Sequence, residues 1–184
     1  MHAVPPSVTR AETLAGQLGF TRSCTRETGR LLHVLAGQRG RARVGEIGTG
    51  AGVGAAWIVS ALRADVPFVT VELDEERARA AAGLFAEDAN VRVLHGDWHA
   101  LTPAEAPFDL LFYDGGGKQR PDLDGDDVVS LLAPGGTVVL DDLTPGRAVD
   151  GDPVRGFWLA HASLAAVEVV LSPATAAILA VRVR

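Results

Sequence analysis

Between an apolar run and a helix-like run the chain places glycine at four alternate positions. They are Gly48, Gly50, Gly52 and Gly54 in "VGEIGTGAGVGAAW", residues 44–57. Glycine costs backbone entropy, so such a cluster marks a sharp bend or a close approach of backbone to something bound. A strand that must turn at once into a helix, with a ligand held against the turn, meets both conditions. Few folds need that combination, and most of them are built on parallel sheets.

The rest of the chain follows the same rhythm. Two short helices are expected first, in "AETLAGQLGF" and "RETGRLLHVLAG", the second with Leu31, Leu32, Val34 and Leu35 as its apolar stripe and Gly37 as its stop. Strands and helices then alternate. "ARVGEI", "PFVTVEL", "VRVLHG", "FDLLFYDG" and "GTVVLDD" read as strands. "GVGAAWIVSALR", "DEERARAAAGLFAE", "DDVVSLLA" and "DPVRGFWLAHA" read as helices, with "PGG" breaking the third and Pro153 in the first turn of the fourth. Continuously apolar strands alternating with helices imply a parallel sheet covered on both faces. The last two apolar runs, "AAVEVVLS" and "TAAILAVRVR", lie too close for a helical crossover and must form an antiparallel hairpin around Pro173. The expected fold is α/β: a doubly wound, Rossmann-like, seven-stranded and mostly parallel sheet with a C-terminal antiparallel hairpin and helices on both faces.

Ligands of open parallel sheets bind outside the carboxyl ends of the strands. Here those ends carry Glu46, Glu72, Asp97, Asp114 and the pair Asp141-Asp142. Any one acid could cap a turn. Six on the ends of five strands repel one another and raise each other's pKa unless cations compensate. Glu72 lies 22 residues beyond Gly50, about where a dinucleotide fold places the acid that receives two ribose hydroxyls. A nucleoside-containing cofactor is therefore expected. A nicotinamide reading finds only a formal G-x-G-x-x-G/A match from Gly50 to Ala55 and no room for a substrate domain.

The joint pattern resembles the class I S-adenosylmethionine-dependent methyltransferases over roughly residue 25 to the C-terminus. "EIGTGAG" is similar to that family's glycine loop, "VELD" to its ribose-binding acid, "HGDW" to its adenine-side loop and "LLAPGGTVVLDD" to its late turn and fifth strand. The resemblance implies S-adenosyl-L-methionine as cofactor, contacted by Glu46, Gly48, Thr49, Gly50, Glu72, Leu73, Gly96, Asp97, Trp98 and Asp114. Asp97 would face the exocyclic amine and Trp98 the adenine ring, although Trp98 could equally be a packing residue. Within the class the chain is most similar to the small catechol and caffeoyl-CoA type O-methyltransferases. That likeness implies methylation of a small-molecule hydroxyl, with Asp114, Asp141 and Asp142 holding Mg²⁺ or another divalent cation and Asp114 and Lys118 as catalytic groups. Asp142 replaces an asparagine of the family pattern, and Lys118 sits four rather than three residues past the acid in "DGGGK".

Lys118 is the only lysine in the chain. A neighbouring cation and desolvation would lower its pKa toward that of a general base; otherwise it is a solvated loop residue. Hydroxyl ionisation would be helped by a hard cation on carboxylate oxygens. "FTRSCTRETG" is expected to close over the site, with Thr25, Arg26 and Glu27 either lining it or, through Thr25, capping the next helix. His95 and His99 read as polar surface groups, Trp57 and Trp158 as packing residues, and Cys24, the only cysteine, as a small semi-buried residue.

Composition bounds the rest. The 184 residues, 47% hydrophobic and 22% charged, suit one domain, 1–184, with an N-terminal helical cap over 1–40 and a cofactor-binding core over 41–184. A net charge of −6 argues against a nucleic-acid partner and so against an RNA-modifying methyltransferase. Arg39, Arg41 and Arg43 read as a solvated turn. No apolar run reaches a membrane span and no signal-peptide pattern opens the chain, so a cytoplasmic protein is expected. A homodimer is implied by family likeness alone. Besides the oxidoreductase, a protein that binds the cofactor without turning it over remains the non-enzymatic alternative.

Overall fold

The computed structural model describes residues 3–183. Two helices, α1 (Pro6–Gln17) and α2 (Arg26–Ala36), precede the sheet. The first starts earlier than its apolar pattern suggests, because Pro6 suits a first turn whose N–H groups have no partner. In α2, Leu32 and Leu35 are buried as expected, but Val34 faces solvent at 63% exposure. The core stripe of α2 is thus narrower than its run of aliphatic residues.

The alternating part comprises β1 (Val44–Ile47), α3 (Val53–Val59), β2 (Phe68–Glu72), α4 (Glu75–Leu84), β3 (Val91–His95), a one-turn α5 (Trp98–Leu101) and β4 (Phe108–Tyr113). There follow α6 (Pro121–Ser130), β5 (Leu132–Leu143), α7 (Pro153–Ala160), β6 (Leu164–Ser172) and β7 (Thr175–Arg182). The order across the sheet is β3-β2-β1-β4-β5-β7-β6. The first five strands are parallel, and β7 runs antiparallel to both β5 and β6.

Helix α6 and strand β5 also start elsewhere than the sequence reading places them. Helix α6 begins at Pro121, before its apolar residues, with Asp122 and Asp124 in a first turn that favours negative charge. Strand β5 begins at Leu132, ahead of the "PGG". The glycines form an irregularity inside the strand, where pairing to β4 shifts between Phe108↔Leu132 and Leu110↔Thr137.

Alternation along the strands splits the core. Leu110 and Phe112 of β4 pack with Leu32, Trp57 and Phe85 on the face covered by α1–α4. Leu111 and Tyr113 pack with Val128 and Trp158 on the face covered by α6 and α7. Both Trp57 and Trp158 are core residues, as expected. Below the sheet's amino ends, Arg41 donates to the carbonyls of Leu35 and Asp109 at 3.0 and 2.7 Å, and Arg43 to the Glu105 carbonyl at 3.0 Å. Two of the three arginines expected in a solvated turn are therefore clamps between α2, β4 and the loop before it. Among the described residues no helix is long and apolar enough to cross a membrane.

Candidate active site

The strand order reverses direction at β1, which lies between β2 and β4. Ile47 is in register with Val71 on one side and Tyr113 on the other, so the next residues of three strands meet at one point. The amides of Gly48 and Thr49 both donate to the Val71 carbonyl, at 2.9 and 3.1 Å. Gly48 has φ +95°, and a Cβ there would lie 2.7 Å from the Asp114 carbonyl oxygen, a backbone atom that cannot give way. The sharp bend and the close approach inferred from the glycine cluster are thus both present at this residue. A cleft of about 600 Å³ opens above it, within the usual range of ligand sites. The segment between α1 and α2 roofs the cleft: a Cβ on Gly50 would come within 2.7 Å of the Phe20 ring.

At the β2 end stands Glu72, 5% exposed. Its Oε2 accepts from the Gly50 amide at 2.7 Å, and its Oε1 from the Asp74 amide at 2.9 Å and from Arg77 Nη2 at 2.8 Å. Arg77, on α4, also lies 5.4 Å from the centroid of the Phe20 ring. Glu46 is buried beneath the loop, 1% exposed, and lines the floor of the cleft. Thr70 Oγ1 donates to its Oε2 at 2.6 Å, and Thr49 Oγ1 meets Thr70 Oγ1 at 2.5 Å. Desolvation holds the Glu46 carboxyl well above the ordinary range, against the pull of the Thr70 hydroxyl. Its other oxygen explains Gly54, where a Cβ would meet Glu46 Oε1 at 2.5 Å.

Beyond β3, Gly96, Asp97 and Trp98 line the cleft, as does Leu73. Asp97 caps α5, accepting from the His99 amide at 3.0 Å and meeting His99 Nδ1 at 2.8 Å. His99 Nε2 lies 3.2 Å from Asp124 Oδ1 on α6. Desolvation disfavours the charged ring, but the two carboxylates outweigh it and raise the His99 pKa. Trp98 stacks on this ring, with centroids 3.8 Å apart. The tryptophan is half-buried: it lines the cleft and also packs against the core, edge-on to Tyr113 with centroids 6.1 Å apart.

At the β4 and β5 ends the three expected acids converge. One carboxylate oxygen from each of Asp114, Asp141 and Asp142 lies within 4.8 Å of the others. Asp142 reaches the cluster from a strained backbone, φ +62°, at an irregularity of β5. Their chemistry suits a hard cation. The place of that cation is nevertheless held by Lys118, on the 3₁₀ turn Gly116–Gln119. Its Nζ donates to Asp114 Oδ1, to Asp141 Oδ1 at 2.9 Å and to Asp142 Oδ2 at 2.8 Å. Burial works against the ammonium, but Asp141 and Asp114 outweigh it and raise the Lys118 pKa. Burial and the Asp141 charge push Asp114 up to about 7, against Lys118. Burial raises Asp141 as well, again against Lys118. Asp141 Oδ2 has no partner among the described residues.

The roof differs from expectation in its residues. Thr25 caps α2, accepting from the Thr28 amide at 3.2 Å, and Arg26 pairs outside with Glu12 at 2.8 Å. Phe20, Arg22, Ser23 and Cys24 line the cleft instead. Desolvation and the surrounding carboxylates push the Cys24 thiol pKa well up, which keeps it neutral. Arg77 was not singled out by sequence reasoning and His99 read only as a polar surface group; each is a polar residue on a helix with no local signal of its role. Only the acids they pair with, Glu72 and Asp97, were visible.

A parallel sheet in this order, closed by an antiparallel strand and carrying its cleft at the β1/β4 reversal, defines a class I methyltransferase fold. A family model described as "Methyltransferase domain" matches residues 46–143. The chain belongs to this methyltransferase family. A "Putative O-methyltransferase" from Mycobacteroides abscessus is 35% identical over 136 residues, covering 70% of this chain and 62% of that protein. One of the same name from Mycobacterium bovis is 34% identical over 135 residues, covering 70% and 59%. The chain thus spans about three fifths of the length of the curated relatives it matches. Among solved structures, the O-methyltransferase TomG from Streptomyces achromogenes, in complex with SAM, superposes with a TM-score of 0.81 at 25% identity, over 99% of this chain and 92% of TomG. An O-methyltransferase from Bacillus cereus gives 0.78 at 19% identity, over 99% and 93%, a likeness of fold.

Proposed function

We propose that the chain transfers a methyl group from S-adenosylmethionine to a hydroxyl of a small molecule. The observation that carries this reading is one continuous cleft with the glycine loop and Glu72 at one end and Asp114 at the other. TomG, the relative described in complex with SAM, lends its cofactor to the proposal.

In this reading Glu72 receives the ribose hydroxyls. Since Gly50, Asp74 and Arg77 already occupy its oxygens, the diol competes with Arg77, whose side chain is 29% exposed and can swing outward. Trp98 offers a flat apolar face to the adenine, held in orientation by His99. Bound in the cleft, the sulfonium supplies an electrophilic methyl carbon. The protein's part is to align an acceptor oxygen behind that carbon and to take its proton, and alignment of this kind lowers a barrier by several kcal/mol. Asp114 lines the cleft, is anchored at one oxygen by Lys118, and has a pKa of about 7, which suits a base working near neutrality. As the oxygen bonds to the methyl carbon, the carbon–sulfur pair leaves with the sulfur and the hydroxyl proton passes to Asp114. The divalent cation expected by resemblance is given no step in this reading.

The test is incubation with labelled S-adenosylmethionine and a panel of phenolic, alcoholic and nucleoside acceptors, beside calorimetric titration of S-adenosylhomocysteine. Labelled methyl ethers and micromolar product binding are expected. Binding without transfer to any acceptor would favour a cofactor-sensing role, and absence of binding would overturn the proposal.

A further inference from the structure

We infer that Lys118 is the built-in cation of this site, and that the Asp114–Asp141–Asp142 cluster takes no divalent metal in the native protein. An ammonium has three N–H donors and no acceptor. All three are spent here, one on each carboxylate. The nitrogen therefore lies where the three acids converge, and no second cation can reach their shared side without displacing it.

Displacement is opposed from three directions. Lys118 is 6% exposed, so leaving its acids means turning out into the cleft it lines. The turn that carries it is closely packed, since a Cβ on Gly117 would fall 2.0 Å from Asp124 Oδ2 and 2.7 Å from Tyr113 Oη. On the facing strand, Asp142 holds a left-handed backbone conformation, which aspartate adopts more readily than most non-glycine residues, and its carboxylate ends on Nζ. A divalent ion beside the lysine would also meet a like charge between two acids, Asp114 and Asp141, whose side chains are only 15% and 1% exposed. The ammonium orders the acids as a metal would, but it offers no open coordination position. Lys118 is on this view a positioning residue that orients Asp114 and Asp142, with the acceptor's proton left to a carboxylate.

The inference accepts the cleft as the reaction site, yet its test reads cation binding and needs neither methyl donor nor acceptor. A failure to find methyl transfer would leave it standing, and the reverse also holds. The 184-residue chain, dialysed against EDTA, is titrated with Mn²⁺ by electron paramagnetic resonance and with Mg²⁺ by calorimetry. Native protein should show no saturable site up to millimolar ion. Lys118→Met and Lys118→Gln, checked for folding by circular dichroism, should each gain one site at least tenfold tighter, lost again when Asp141→Asn is added. One stoichiometric Mn²⁺ in the native protein, abolished by Asp141→Asn, would overturn the inference. So would folded lysine variants that bind no better than native. Should neither variant fold, the native titration alone decides.

Discussion

The two ends of the cleft neutralise buried carboxylates in different ways. At the β2 end Glu72 is paired with Arg77, whose side chain keeps 29% of its surface in water. At the β4 and β5 ends Asp114 and Asp141 are paired with Lys118, whose side chain keeps 8%. An arginine at the rim can exchange its partner for a ligand and be solvated elsewhere. A lysine beneath the surface, bonded three ways, cannot leave without stranding its acids. The comparison teaches that one end is built to trade its counter-charge when a ligand arrives, and the other to keep it while chemistry takes place.

The most severe way to break the comparison is to remove the fixed cation. Lys118→Met leaves buried carboxylates uncompensated and should cost roughly 3–5 kcal/mol, read as a large fall in melting temperature, with methyl transfer lost. Mn²⁺ should restore part of that stability to the variant and none to the native protein. Next in size is Glu72→Ala. It removes a charged acceptor from the ribose and strands the Gly50 amide, so S-adenosylhomocysteine affinity should fall at least about 100-fold. Calorimetry would show it, and near-native affinity would move the ribose elsewhere.

A smaller effect, of opposite direction at the same end, sharpens the contrast. Arg77→Ala removes the competitor for Glu72 and should leave affinity unchanged or raise it by up to about fivefold, the worth of an ion pair of roughly 1 kcal/mol. A hundredfold loss would mean that Arg77 is itself a ligand group. The gentlest test is pH. Glu46 and Asp114 keep protons in the fold that the unfolded chain releases near the ordinary carboxylate pKa of about 4. The stability they contribute is full below that pH and is lost as pH rises, through about 7 for Asp114. Glu46→Gln should therefore flatten the fall in melting temperature between pH 5 and 8, by up to about 1.4 kcal/mol per pH unit for one proton. An unchanged slope would show Glu46 to be ionised in the fold.

Much of this molecule could be read along the chain. The glycine at position 48, the acid 22 residues beyond Gly50 and the closing hairpin depend on local rules: positive φ, strand ends and loop length. Those rules act between near neighbours, so they leave marks in the order of residues. The three acids of the second cluster were likewise visible as strand ends. Their shared counter-ion was not, because the reach of Lys118 depends on how the turn after β4 is pressed against α6. The role of Arg77 was hidden for the same reason, as was Phe20 over Gly50, since both arise where α1, α4 and the loop between α1 and α2 meet.

The amino-acid order by itself determined the doubly wound sheet, the place of the cleft and the acids on its rim, since periodicity and turn chemistry are properties of short segments. Only the tertiary structure decided which cation compensates which acid. Charge pairing at 3 Å joins residues far apart in sequence, and it is settled by the packing that brings them together and by the water that packing excludes.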